Sequence, residues 1–132
     1  MARKKKKKKV LRTAEYHAEP RSERELMEDL NEDLHDAWEK LRAYCAGLGE
    51  QRIYTSAKAI MFARKRCYLF VRPKKAYVEV SFFLAREVRP PAVFRCDSRS
   101  KTKFAHTYKL VHADQIEEPL TDWIQEAFSE SK

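Results

Sequence analysis

Three apolar segments, Ala59 to Ala63, Cys67 to Arg72 and Tyr77 to Leu84, follow one another separated only by Arg64-Lys65-Arg66 and by Pro73-Lys74-Lys75 with Ala76. All are rich in β-branched and aromatic residues, and the gaps are too short for a helix. Such a run of strands argues against a sheet of alternating strands and helices and for the α+β class. The expected unit is an antiparallel three-strand meander. In its third strand Val78, Val80, Phe82 and Leu84 share one face, while Tyr77, Glu79, Ser81 and Phe83 share the other.

Helical periods flank this core. Ser22 and Glu25 form a capping-box pattern, and Met27, Leu30, Leu34, Trp38, Leu41, Cys45 and Leu48 recur every three or four residues. One long amphipathic helix ending near Gly47 is predicted. After the meander, Arg89, Pro90, Pro91 and the polar stretch from Asp97 to Lys103 predict a long loop over Ala85 to Lys103, with room for a short strand at Ala92 to Arg95. Phe104 to Val111 alternates as a fourth strand. Asp114 to Glu117 reads as a turn, and Leu120, Trp123, Ile124, Ala127 and Phe128 give a last helix, with Pro119 near its start. The expected order is α-β-β-β-loop-β-α: a small four-stranded antiparallel sheet, a meander plus a later strand, with two helices packed on one face. Residues 1 to 20 lack an apolar period and read as a disordered lysine-rich arm. Residues 21 to 132 read as a single domain, since about 110 residues suit one core.

Charge is segregated along the chain. The net charge is +8, and the first twelve residues account for all of it. From Thr13 to Glu50 the net charge is −7, from Gln51 to Lys109 it is +12, and from Leu110 to Lys132 it is −5. The basic block coincides with the strands, so a folded surface with a positive field is expected, suited to phosphate-bearing partners. The acidic positions Glu28, Asp29, Glu32, Asp33, Asp36 and Glu39 read as the wet face of the first helix, with docking of the chain's own arm as a second reading.

Several function classes are disfavoured. The chain has two glycines, Gly47 and Gly49, so it holds neither a P-loop nor a dinucleotide fingerprint. No run of 18 apolar residues occurs, so neither a membrane span nor a signal peptide is expected. Cys45, Cys67 and Cys96 are widely spaced and read as reduced thiols of a cytoplasmic protein, or a nuclear one in a eukaryotic host. His17, His35, His106 and His112 are scattered, so no metal and no cofactor is implied. His106 and Tyr108 share a strand face and Cys67 is strand-borne, which would permit acid-base or thiol chemistry. A structural histidine and a buried thiol are the preferred reading, and no enzyme is expected.

The favoured function is a non-enzymatic module that binds nucleic acid. Electrostatic contacts are assigned to Lys4, Lys5, Lys6, Lys7, Lys8 and Lys9 in the arm, to Arg64, Lys65 and Arg66 at one turn, to Lys74 and Lys75 at the next, and to Arg99, Lys101 and Lys103 in the long loop. Tyr68 and Tyr77 are assigned stacking roles, and Phe70 and Phe83 join them if the aromatics lie on the sheet face away from the helices. In the alternative, the aromatics pack in the core and the turns are merely solvated. A different function, a small anionic-ligand or protein-interaction domain, would use Lys58, Arg72, Lys74, His106 and Tyr108 to line a cleft.

One resemblance bears on the fold. Leu34, Trp38, Leu41 and Leu48-Gly49, then Tyr54-Thr55, Lys58-Ala59-Ile60 and Phe62, then Tyr68-Leu69-Phe70-Val71 running into Pro73-Lys74-Lys75 resemble the "domain of unknown function 5655" family of bacterial small domains. His106, Lys109-Leu110, Asp114-Gln115-Ile116, Leu120, Trp123-Ile124 and Ala127-Phe128 agree with it. The resemblance spans about Asp33 to Phe128 and implies a small stand-alone or C-terminal domain, in some members placed behind a nuclease-like domain. Ala76, where a glycine commonly follows the two lysines, and the basic loop from Arg86 to Lys103 depart from the pattern. The resemblance implies no catalytic residue.

Overall fold

The computed structural model describes residues 19–132. The lysine run and most of the arm expected at the N-terminus lie outside these residues. The described chain is a mixed α and β fold: three helices, α1 (Glu23–Met27), α2 (Glu32–Ala46) and α3 (Leu120–Glu130), and a six-stranded antiparallel sheet. The strands are β1 (Arg52–Thr55), β2 (Ile60–Ala63), β3 (Cys67–Pro73), β4 (Val78–Leu84), β5 (Arg95–Ser100) and β6 (Lys103–Leu110), in spatial order β1-β2-β3-β4-β6-β5.

The expectation of four strands is corrected to six. Arg52–Thr55 offers only four residues with Ile53 as its one aliphatic, and it forms because it pairs with β2 in the register Ile53 to Phe62 and Thr55 to Ile60. Arg95–Ser100 carries no alternating apolar pattern at all; its six residues are polar apart from Cys96, and they are strand because β6 supplies a backbone ladder from Thr107 to Lys103. In both cases pairing with a neighbour overrides weak local propensity.

The single long N-terminal helix is also corrected. Ser22 and Glu25 do form the capping box, with Glu25 N–H donating to Ser22 Oγ and Ser22 N–H to a Glu25 carboxylate oxygen, both at 3.0 Å. Yet α1 stops at Met27, and Asn31 starts a new helix by accepting the Leu34 N–H on its side chain at 2.9 Å. Asparagine is a strong N-cap, so the break follows local chemistry within an unbroken apolar period. Arg42 bridges the two helices through a forked pair with the Glu23 carboxylate, at 2.6 and 3.1 Å.

Both longer helices cover the same sheet face. Trp38 of α2 meets Phe62 edge-on at 6.2 Å, Trp123 of α3 stacks on Phe82 at 6.0 Å, and Phe128 of α3 meets Tyr68 edge-on at 5.3 Å. One cluster of buried side chains draws on all three helices and on strands β2, β3, β4 and β6, including Leu34, Leu41, Ile60, Leu69, Val71, Val80, Leu84, Leu110 and Ile124. The expected turn after β6 is present as a 3-10 turn over Ala113–Gln115, capped by the His112 side chain, and α3 begins directly after Pro119.

Gly49 fits the turn between α2 and β1 for a steric reason. Its φ is +153°, and a Cβ there would lie 3.0 Å from the Phe128 ring. Gly49→Ala is therefore expected to cost on the order of 1–3 kcal/mol in urea-unfolding free energy, by backbone strain and displacement of Phe128. Gly47→Ala, whose φ of −77° is ordinary for any residue, should be nearly neutral in the same assay.

Candidate nucleic-acid interface

With the helices on one face, the register decides what the other presents. Across the middle of that face run Tyr54, Met61, Phe70, Ser81, Thr107 and Arg95, one from each strand in spatial order. Above this row lie Arg72, Glu79 and Lys109; below it lie Arg52, Ala63, Phe83, Ala105 and Asp97. Among the described residues no helix covers these rows. Ser81, Ala105 and Thr107 are small and buried, forming a floor beneath the larger side chains around them.

Cations lie over the aromatic rings of this face. The Arg72 guanidinium sits 5.2 Å from the Phe70 centroid, Lys103 Nζ 4.5 Å from Phe83, and Arg52 5.3 Å from Tyr54. Lys109 Nζ sits 4.0 Å from the Phe94 ring and 4.8 Å from Tyr77. Phe70 and Phe83 are 6.0 Å apart with tilted rings. Phe94 is 52% exposed and Tyr54 40%. Among the described residues Arg52, Arg72, Lys103 and Lys109 form no ion pair, whereas Arg95 is paired with Asp97 at 3.0 Å. Each unpaired cation keeps its charge available while its stem and head rest on a π face.

The turns assigned to phosphate contact split between the two ends of the sheet. Antiparallel order puts Arg64, Lys65 and Arg66 at one end with Arg99, Lys101 and Lys103, and puts Lys58, Lys74 and Lys75 at the other. Arg64 is already engaged: its guanidinium donates to the Phe128 carbonyl at 3.1 Å and lies 4.3 Å from the Phe128 ring. The backbone N–H groups of Lys65 and Arg66 donate to the Ser131 carbonyl at 3.2 and 3.3 Å. This turn caps the C-terminus of α3, where positive charge and free N–H groups suit the exposed carbonyls. The Lys65 and Arg66 side chains remain exposed.

Tyr68 is corrected from a stacking platform to a core residue. It is 1% exposed, packs against Phe62 and Phe128, and donates its hydroxyl to Gln51 Oε1 at 2.6 Å. The cause is a β-bulge: Phe62 pairs with Leu69 while Ala63 pairs with Cys67, so Tyr68 is the extra residue and turns to the helix side with Leu69. Simple alternation would have put it beside Phe70. Tyr77 is on the rim under Lys109. The residues that the block of strand turns did not disclose are Arg52, Tyr54, Met61, Phe94 and Lys109, and the pairing register is what brings them to this face.

The alternative ligand set does not line one cleft. Arg72 is on the open face and Lys58 and Lys74 are in turns, while His106 and Tyr108 point to the helix side with Phe82 and Val80. His106 is fully buried, stacked on Phe82 at 5.2 Å, and its Nε2 accepts the Val88 N–H at 2.9 Å. Because Nε2 accepts that N–H it carries no proton, which leaves a neutral ring with its proton on Nδ1, an atom without a hydrogen-bond partner among the described residues. Burial holds its pKa below the ordinary histidine value. The thiols are raised in the same way: burial pushes Cys45 up to about 12 and also raises Cys67 and Cys96, which disfavours thiolate chemistry. Among the described residues no group of three or more His, Cys, Asp and Glu side chains could hold a metal ion, and no helix is long and apolar enough to cross a membrane.

The fold and this face define an α+β domain with a one-sided helical layer and an open, basic, aromatic sheet. Residues 23–131 match the family described as Domain of unknown function (DUF5655), and the chain belongs to that family. No curated protein and no solved structure gives a significant match.

Two outcomes test the site geometry. Tyr68→Phe removes the bond to Gln51 while keeping the ring, and should lower stability by about 1 kcal/mol with no change in any ligand affinity carried by the open face. For His106, the unfolded ring takes a proton below about pH 6.5 while the buried ring resists it, so stability is full above that pH and is lost as pH falls below it. Urea midpoints measured across that range should drop on the acid side, and His106→Phe should flatten that part of the profile.

Proposed function

We propose that this protein is a non-enzymatic cytoplasmic module that binds single-stranded nucleic acid on the open sheet face. The observation that carries the reading is the placing of unpaired cations beside aromatic rings on a face that no described helix covers: Arg72 with Phe70, Lys103 with Phe83, and Lys109 with Phe94 and Tyr77. Bases stack on aromatic side chains whatever their identity, and neighbouring cations take the phosphates, so this pairing suits a flexible strand with splayed bases. A rigid duplex hides its bases and could use only the charges. The stacking role moves from Tyr68 to Phe70 and Phe83. Arg66, Lys74, Lys75, Arg99 and Lys101 extend the positive field to the two ends of the sheet, and the arm lysines Lys4 to Lys9 add affinity without sequence preference.

The test is a salt titration of binding to ten-nucleotide single strands and to a duplex of the same sequence. Single strands should bind more tightly than duplex. Arg72→Ala with Lys109→Ala removes two cations, and the slope of log affinity against log salt should flatten by roughly 0.7 for each phosphate no longer neutralised. Phe70→Ala should cost about 1–3 kcal/mol of binding at constant salt, once circular dichroism confirms the fold. Affinity no steeper in salt than that of a neutral control protein, or unaffected by the three substitutions, would sink the proposal.

A further inference from the structure

At the lower end of the sheet, a cavity of about 350 Å³ opens between the β2–β3 turn, the end of β4, the β5–β6 turn and the last turn of α3. Its volume suits a small organic ligand. Two cations line it, Arg66 and Lys103, and neither is ion-paired among the described residues. Ser100, Thr102 and Ser131 add polar groups, Leu84 and Ala127 apolar wall, and Phe83 an aromatic ring.

Phe83 and Lys103 connect this cavity to the open face. Phe83 is the ring next to Phe70 in the row below the middle of the sheet, and Lys103 rests on Phe83. A strand laid across Phe70 and Phe83 would therefore bring its end to the mouth of the cavity. Glu130 sharpens the ligand class. It is the one carboxylate on the wall, and it accepts the Ala85 N–H at 3.0 Å, which holds it in place with lone pairs to spare. A fixed carboxylate opposes a bare polyanion such as inorganic phosphate, but it accepts hydrogen bonds from a sugar hydroxyl or a base amino group. Two cations for a phosphate, one acceptor for hydroxyls and one aromatic ring match the parts of a single nucleotide.

We propose that the cavity seats one phosphorylated nucleotide, with Arg66 and Lys103 on the phosphate and Glu130 accepting from a base amino group or a free sugar hydroxyl. Resting on the single-strand reading above, the natural occupant is the phosphate-bearing terminal nucleotide of a bound strand; a free nucleoside monophosphate carries the same chemistry. The test uses the full chain and ten-nucleotide single strands ending in a 5′-phosphate, a 3′-phosphate or hydroxyls only, with adenosine 5′-monophosphate and inorganic phosphate titrated separately by NMR. One of the phosphorylated ends should bind about tenfold more tightly than the hydroxyl-ended strand, the scale of one charge-assisted contact. That ratio should fall to near one in Arg66→Ala and in Lys103→Ala, and adenosine 5′-monophosphate should shift Ser100, Thr102 and Ala127 where inorganic phosphate does not.

The outcomes separate the two readings. Strands that bind equally whatever their ends, with no shift from adenosine 5′-monophosphate, overturn the cavity assignment and leave the open-face reading standing. If no strand binds while adenosine 5′-monophosphate saturates the cavity, the face reading falls and the nucleotide site stands with a free ligand. An absence of both overturns both.

Discussion

Phe82 is the point on which the two layers are fastened together. It pairs in register with Leu69 on one side and His106 on the other, stacks on the His106 ring at 5.2 Å, and receives Trp123 of α3 at 6.0 Å on its helix side. Aromatic contacts of this kind bury large areas and have preferred geometries, so they fix orientation as well as affinity between layers. The Trp38 to Phe62 and Phe128 to Tyr68 contacts repeat the arrangement toward the other sheet edge. All of these rings lie on one side of the sheet. The apolar stripes of α2 and α3 are consumed there, and alternation then commits the remaining half of the strand residues to the opposite side.

That one-sidedness gives the charge segregation its meaning. Acidic residues concentrate on the outer surfaces of α1, α2 and α3, and several basic ones are held by them, as in Arg42 with Glu23 and Arg86 with Glu126. Four cations of the open face, Arg52, Arg72, Lys103 and Lys109, lack such partners among the described residues and rest on aromatic rings instead, while Arg95 is paired with Asp97. The arrangement separates a negative helical surface from a positive sheet surface, an orientation-dependent field that would steer a polyanion to one side of the molecule. Arg64 shows that the same basic block also has structural uses, since its guanidinium serves the C-terminus of α3.

Much of the architecture was legible in local pattern. The meander strands, β6, the α3 segment with its preceding turn, the helix end near Gly47 and the family itself follow from apolar period, glycine placement and motif order in Trp38, Phe62, Val71-Arg72-Pro73 and Trp123. Three features were not. β5 is polar and exists because β6 offers it a ladder. The helix break at Asn31 hides inside an unbroken apolar period. Tyr68 is displaced by one bulge, which reverses the side its ring faces and leaves Phe70 and Phe83 as the neighbouring rings on the open face. For His106, strand alternation placed it beside Tyr108, but that its Nε2 is taken by Val88 from the loop before β5 depends on how that loop packs.

By itself the sequence determined the α+β class, the composition of the core and the presence of a basic, aromatic block, because each depends on period and composition within a few residues. Alternation within β3 already puts Arg72 on the same face as Phe70, but tertiary structure alone decided which cations stand beside the rings of other segments. Register sums over all six strands, and a single extra residue in β3 inverts a face, so no local pattern could assign Lys103 to Phe83, Lys109 to Phe94 or Arg66 to the cavity at the sheet's lower end.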